Sequence, residues 1–217
     1  MARHPTRVGR RAGRLPTKQR VLWRLRNTRD SALAHRWLDG LRGVEIGGAA
    51  HNAFGLDTIN VDRTRDMDTV YKREELACAG VAMAVDVVAE GDDLPFPDDA
   101  FDFVLASHVL EHLPDPIRAL REWERVARRY LLIVLPHRDR TFDRGRPVTP
   151  LSEIVERHAN GLRSTEDRHW TVWTCESFLA LCGHLDLPVL EYQDPDDKQG
   201  NGFAAVLGAA ARVKVGV

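Results

Sequence analysis

At 217 residues, with 43% hydrophobic and 29% charged side chains, the chain has the size and balance of one globular α/β domain and is too short for two. No apolar run reaches the roughly 18 residues of a bilayer span, and no short apolar segment near the start marks a secretory leader, so a cytoplasmic protein without membrane spans is expected. The net charge of −1 hides a division: ten Lys or Arg and no acid precede Asp30, leaving 21 basic against 32 acidic residues in the rest.

In chain order, residues 1–15 read as a basic, flexible arm ahead of a single domain over 16–217. Such an arm can be simply solvated, or can dock on nucleic acid, an anionic membrane or an acidic partner; its composition also fits a transit peptide. From about Thr17 to Leu41, Val21, Leu22, Leu25, Leu33, Trp37, Leu38 and Leu41 recur at mostly helical spacing, and Asp39-Gly40 closes that helix. Strand and helix signals then alternate, with strands expected at Gly43–Gly48, Thr58–Asp62, Ala82–Val88, Phe101–Ala106 and Tyr130–Leu135. The last two, FDFVLA and YLLIVL, are near-continuous apolar runs, as in strands buried on both faces of a parallel sheet. Pro114-Asp115-Pro116 opens the helix carrying Ile117, Leu120 and Val126.

Residues 136–173 form a long polar insertion with one helix near Leu151–Ala159, the kind of segment that serves as a binding loop or lid. Thr174 then caps a helix to about Gly183, and Val189–Tyr192 with Phe203–Leu207 reads as an antiparallel hairpin. Cys78, Cys175 and Cys182 fit neither a disulfide framework nor a CxxC zinc pattern and are expected as small core residues. Alternating βα units imply a doubly wound sheet with ligands beyond the carboxyl ends of its strands.

Three strand ends carry matching chemistry. After the first strand, Gly47-Gly48-Ala49 leaves a bare backbone that a ligand can approach, although the turn lacks GxGxxG and His51 stands where more glycine is expected. Asp62 ends the second strand, where a carboxylate can accept both hydroxyls of a ribose. The third leads into Glu90-Gly91-Asp92-Asp93-Leu94-Pro95-Phe96, where an acid can take the amine of an adenine beside the apolar wall of Leu94 and Phe96.

The run Phe101–Pro116, FDFVLASHVLEHLPDP, with LPFPDDAFD before it and EIGGAAHNAFG further back, resembles the class I S-adenosylmethionine-dependent methyltransferases of the "type 11" kind over about Gly43 to His137. The resemblance implies a Rossmann-like α/β fold, a mostly parallel seven-stranded sheet ending in an antiparallel hairpin, and S-adenosylmethionine as cofactor. It implies that Gly47, Gly48 and Ala49 line the methionine and ribose moieties, with Glu45 beneath the amino group. Asp62 would hold the ribose, Glu90, Gly91 and Asp92 the adenine, and Ser107 and His108 would close the site. Ala49 and His51 depart from the glycine-rich turn of that family.

Within that run, His108-Val109-Leu110-Glu111-His112 also fits HxxEH, an inverted zinc-peptidase pattern that on a helix places two imidazoles on one face. A peptidase gives no reason for the Glu45, Asp62 and Glu90 series, and His112 then reads as a helix residue packed on the sheet. For a hydroxyl acceptor the protein must supply a proton acceptor. His137, just past the fifth strand, is the first candidate for base or metal ligand, then His108, then His169; a surface histidine bonded to Asp139 is the alternative for His137. In the insertion, Arg144, Trp170 and Trp173 suit a sugar acceptor, unless the tryptophans are core anchors.

EIGGAAHNAFG with LPHRDRTFDR further resembles actinobacterial glycan O-methyltransferases, such as those that 1-O-methylate mycobacterial methylmannose polysaccharides. That likeness implies cytoplasmic action on a short mannoside or other oligosaccharide, with Mg²⁺ as an optional second cofactor and a homodimer as one open option. The alternatives are a nucleic-acid methyltransferase using the arm, disfavoured because no NPPY-like motif follows the fourth strand, and a non-catalytic partner protein.

Overall fold

The computed structural model describes residues 30–209, so the basic arm and the first half of the helix expected from Thr17 lie outside the described residues. Helix α1 (Ala32–Leu38) starts where Ser31 Oγ accepts the N–H of Ala34 and ends at Asp39, with Gly40 taking a left-handed φ of 74°. Seven strands follow: β1 (Arg42–Ile46), β2 (Asp57–Asp62), β3 (Val87–Val88), β4 (Phe101–Ser107), β5 (Ala127–Pro136), β6 (Val189–Gln193) and β7 (Gly202–Gly208). Between them run α2 (Val70–Ala79), α3 (Pro116–Val126), α4 (Leu151–Ala159) and α5 (Cys175–His184).

The strands form one sheet in the order β3-β2-β1-β4-β5-β7-β6. β1 to β5 pair in parallel, and β7 runs antiparallel to both β5 and β6. This is the Rossmann-like seven-stranded arrangement with a closing hairpin that the sequence led us to expect. From β1 the chain builds outward to β3, then crosses to β4 on the other side. The carboxyl ends of β1 and β4 are thus the topological switch point, where ligands bind in such sheets.

Alternate residues of β4 and β5 face opposite cores. Val104, Ala106, Leu131, Ile133 and Leu135 pack toward Trp123 of α3 and Phe178 of α5, while Phe103, Leu105, Leu132 and Val134 pack toward Leu33 and Leu38 of α1. Burial on both sides is why these strands read as unbroken apolar runs. Asp115 caps α3 through the N–H of Arg118 with Pro116 in the first turn, and Thr174 with Ser177 forms a capping box on α5. Cys175 and Cys182 are buried and Cys78 is half-buried, none of the three in a disulfide.

Two elements differ from expectation. Strand β3 keeps only Val87 and Val88 of the expected Ala82–Val88. The backbone before it is satisfied by side chains instead of a ladder: Met83 O accepts Lys72 Nζ at 2.9 Å, Ala84 O accepts Asn60 Nδ2 at 2.9 Å, and Val85 O accepts Arg65 Nε at 3.2 Å. Helix α2 gave no apolar period because its buried face is an ion pair, Lys72 Nζ to Glu75 at 2.9 Å. No helix among the described residues is long and apolar enough to cross a membrane.

Candidate cofactor and acceptor site

The turn after β1 is built for a bare backbone. Gly47 has φ 65°, and a Cβ there would fall 2.8 Å from Val109. A Cβ on Gly48 would meet Asn60 Oδ1 at 2.8 Å and the carboxyl carbon of Glu45 at 2.9 Å. Glycine is therefore required at both positions. Asn60, buried on β2, holds the turn: its Oδ1 accepts the Gly48 N–H at 2.9 Å and its Nδ2 donates to Gly48 O at 3.3 Å. Ala49 follows in an extended conformation and precedes a short 3₁₀ turn, Ala50–Asn52, which carries the half-buried His51.

Glu45 lies under this turn, 4% exposed, with Thr58 Oγ1 donating to its Oε2 at 3.3 Å. Burial pushes its carboxyl up to about 7, opposed by that hydrogen bond and by the Lys198 charge. Asp62 is half-buried at the carboxyl end of β2, and its Oδ1 accepts the Arg63 N–H at 2.7 Å. Glu90 is exposed just past β3 in a turn closed by the Asp93 N–H on Glu90 O at 3.1 Å. Gly91 beside it is pinned by Trp123 Nε1 on its carbonyl at 2.7 Å.

Asp92 requires a correction. It is buried, and its carboxylate pairs with Arg118 Nε at 3.2 Å and Arg163 at 3.7 Å, so it anchors this turn to α3 and does not reach out to an adenine.

At the end of β4, Ser107 Oγ accepts from Asn52 Nδ2 at 2.8 Å, and His108 bends the chain with a left-handed φ of 57°. Leu110–His112 is a 3₁₀ turn, not an α-helix, so the HxxEH residues lack the helical spacing the peptidase reading requires. The same break removes His112 from the helix in which it was expected to pack. Glu111 instead sits at the centre of a histidine group. It is 0% exposed, neither carboxylate oxygen has a hydrogen-bond partner, and His108 Nδ1 stands 3.6 Å away.

His169 reaches this group from the insertion, its ring 4.7 Å from that of His112. The Trp170 N–H donates to Glu111 O at 2.7 Å and clamps the insertion onto the turn. Burial holds the His112 imidazole below its ordinary value, with Glu111 acting against this.

His137 does not join this group. Its Nδ1 accepts the Asp139 N–H at 3.2 Å and its ring meets Phe203 edge-on, which makes it the cap of a short turn, Arg138–Arg140. Trp173 is also corrected: it is 0% exposed and packs edge-on against Phe178, beyond the reach of an acceptor. Trp170 is half-buried under the Arg168 guanidinium, 3.7 Å from the ring centroid, and lines a cleft with His169, Arg146 and Arg157. Arg144 is exposed and donates to Asp139 O at 2.7 Å.

Asn60 was invisible in the sequence, where one polar residue in an apolar strand carries no label. Glu111 and His169 were visible only as residues 58 positions apart, with nothing to join them.

Residues 43–133 match the model of the methyltransferase domain family. Among curated relatives, an uncharacterised methyltransferase of Bacillus subtilis is 29% identical over 142 residues, covering 63% of this chain and 51% of that protein. Ajmaline N-methyltransferase of Rauvolfia serpentina is 44% identical over 112 residues, covering 49% of this chain and 36% of that one. The chain spans about half the length, or less, of the curated relatives it matches. A chain of a Haloferax volcanii complex containing the Trm112 methyltransferase activator shares the fold, with a TM-score of 0.53 at 16% identity, covering 88% of this chain and 92% of that one. The bare glycine turn and the ordered carboxylates of Glu45, Asp62 and Glu90 fit the cofactor of this family. Over residues 43–133 the chain is thus similar to a methyltransferase domain.

Proposed function

We propose that the chain transfers a methyl group from S-adenosylmethionine to a hydroxyl oxygen of a small acceptor, a sugar or short oligosaccharide being the first class to test. Gly47, Gly48 and Ala49 would hold the methionine and ribose moieties, Glu45 would lie beneath the amino group, and Asp62 would accept the ribose hydroxyls. Glu90 with Gly91 would meet the adenine, and Ser107 would close the site. When bound there, the sulfonium supplies an electrophilic methyl group and leaves as a neutral thioether.

The chain's own task is to position the acceptor and take its proton. The observation that carries the hydroxyl reading is the buried Glu111 ringed by His108, His112 and His169 directly beyond Ser107. A neutral amine acceptor has a free lone pair and makes no such demand. His108, whose buried Nε2 has no partner, is the proton acceptor in this reading, and the cleft at Trp170 gives the acceptor a flat ring to lie against.

The test is radiolabelled methyl transfer into mono- and oligosaccharides, phenols, amines and RNA, beside calorimetry of S-adenosylmethionine binding. Label in hydroxyl acceptors supports the proposal. Label confined to amines, carbon acceptors or RNA, or no cofactor binding, overturns it.

A further inference from the structure

We propose that Glu111, His112 and His169 bind one divalent cation, and that this cation holds an acceptor bearing two adjacent hydroxyls. The inference deepens the hydroxyl-transfer reading and rests on it for the acceptor, though not for the cation. One donor atom from each of the three residues lies within 4.8 Å of the other two. Ligands at about 2.0–2.2 Å from a cation stand roughly 3–3.5 Å apart, so closure needs only small side-chain rotations.

The group shows two further marks of a cation site. First, Glu111 is fully buried and neither of its oxygens accepts a hydrogen bond. Leaving a buried carboxylate unpaired is costly, and the imidazoles of His108, His112 and His169 stand around this one. A cation would offset that cost.

Second, each imidazole is already oriented from behind. His169 Nδ1 meets Asp143 Oδ2 at 2.6 Å, and Asp143 is itself buried and paired with Arg146. His112 Nδ1 meets Asp167 Oδ1 at 3.2 Å. A carboxylate on Nδ1 fixes the tautomer and leaves Nε2 to ligate, the usual outer partner of a metal-bound histidine.

The donor chemistry selects the ion. Two imidazoles and one carboxylate suit a borderline first-row cation such as Zn²⁺ or Mn²⁺ better than Mg²⁺, which favours an all-oxygen octahedron. Three protein ligands leave positions open, as in catalytic sites. Two adjacent acceptor hydroxyls can fill them, which lowers the pKa of the ligated hydroxyl and fixes its oxygen. Its proton passes to His108, the O–CH₃ bond forms as the S–CH₃ bond breaks, and no oxidant or reductant is needed.

The experiment uses the tag-free chain after chelation and dialysis, titrated with ZnCl₂ and MnCl₂ by calorimetry. S-adenosylmethionine affinity is measured in parallel as the control for folding. One ion per chain is expected, with binding weakened at least tenfold in His169→Ala and about 10–100-fold in Asp143→Asn, at unchanged cofactor affinity. No binding at millimolar ion, or equal binding in His169→Ala, His112→Ala and the parent chain, overturns the site. If the ion binds but chelation leaves transfer to vicinal diols unchanged, its role in holding the acceptor is overturned. If it binds and no hydroxyl compound accepts a methyl group, the cation site stands and the hydroxyl-transfer reading fails.

Discussion

Asn60 Oδ1 accepts the backbone N–H of Gly48 at 2.9 Å, tying the second strand to the turn after the first with a buried hydrogen bond. The same side chain donates to Gly48 O and to Ala84 O, so one residue of β2 joins the turn after β1 to the segment that leads into β3. Asn60→Leu would orphan the groups at Gly48 and Ala84, at about 1–3 kcal/mol for each group left dry. The expected outcome is a lower unfolding midpoint in urea and at least about tenfold weaker S-adenosylmethionine binding by calorimetry. Unchanged cofactor affinity would show that the turn keeps its shape without this bond.

Asp62 stands half-buried at the end of β2, with one carboxylate oxygen held by the Arg63 N–H. A carboxylate accepting ribose hydroxyls makes charge-assisted bonds worth about 1.5–3 kcal/mol, or roughly 10- to 150-fold in affinity. Asp62→Ala should lose that much cofactor affinity while its urea midpoint stays close to that of the parent chain. Calorimetry that shows equal affinity would remove Asp62 from the site.

Glu45 supplies a prediction with a definite pH sign. Burial raises its carboxyl from 4.5 to about 7, so between those values the folded chain keeps a proton that the unfolded chain releases. Stability contributed by this group therefore falls as pH rises through that window and stays low above it. The shift corresponds to roughly 3 kcal/mol at most. Glu45→Gln carries no such penalty, so relative to the parent it should gain stability at pH 8 and lose that advantage at pH 4.5. Its cofactor affinity at pH 8 should fall, because the neutral amide cannot pair with an ammonium group. Equal stability profiles for both proteins would show that Glu45 is not desolvated.

The fold was legible because its strong signals are local. FDFVLA and YLLIVL became β4 and β5, Leu151–Ala159 became α4, and Thr174 caps α5. Helix α2 was not legible, since the Lys72–Glu75 pair that it buries looks in sequence like a solvated charge run. The acceptor side was least legible, because it depends on a left-handed residue. His108 at φ 57° breaks the helix that HxxEH would need and turns Glu111 inward, where His169 arrives from an insertion with no periodic pattern of its own. Position along the chain favoured His137 for the same reason: it directly follows β5, and only the structure shows its Nδ1 engaged with the Asp139 N–H.

That last contrast gives the sharpest test of the acceptor side. His137 caps its own turn through Nδ1, whereas His108 has a buried, unpartnered Nε2 and stands 3.6 Å from Glu111. If His108 takes the acceptor proton, His108→Gln should lower turnover by about 10²–10⁴-fold, the usual worth of a positioned base. His137→Ala should cost little turnover, because its loss removes one exposed turn hydrogen bond worth about 1 kcal/mol. His137→Ala should keep the parent's cofactor affinity, since its ring is held by its own turn and meets Phe203. Steady-state rates on any hydroxyl acceptor that takes label decide the matter. A large loss in His137→Ala with a small one in His108→Gln would return the proton to His137 and make the histidine group around Glu111 a device for holding the acceptor alone.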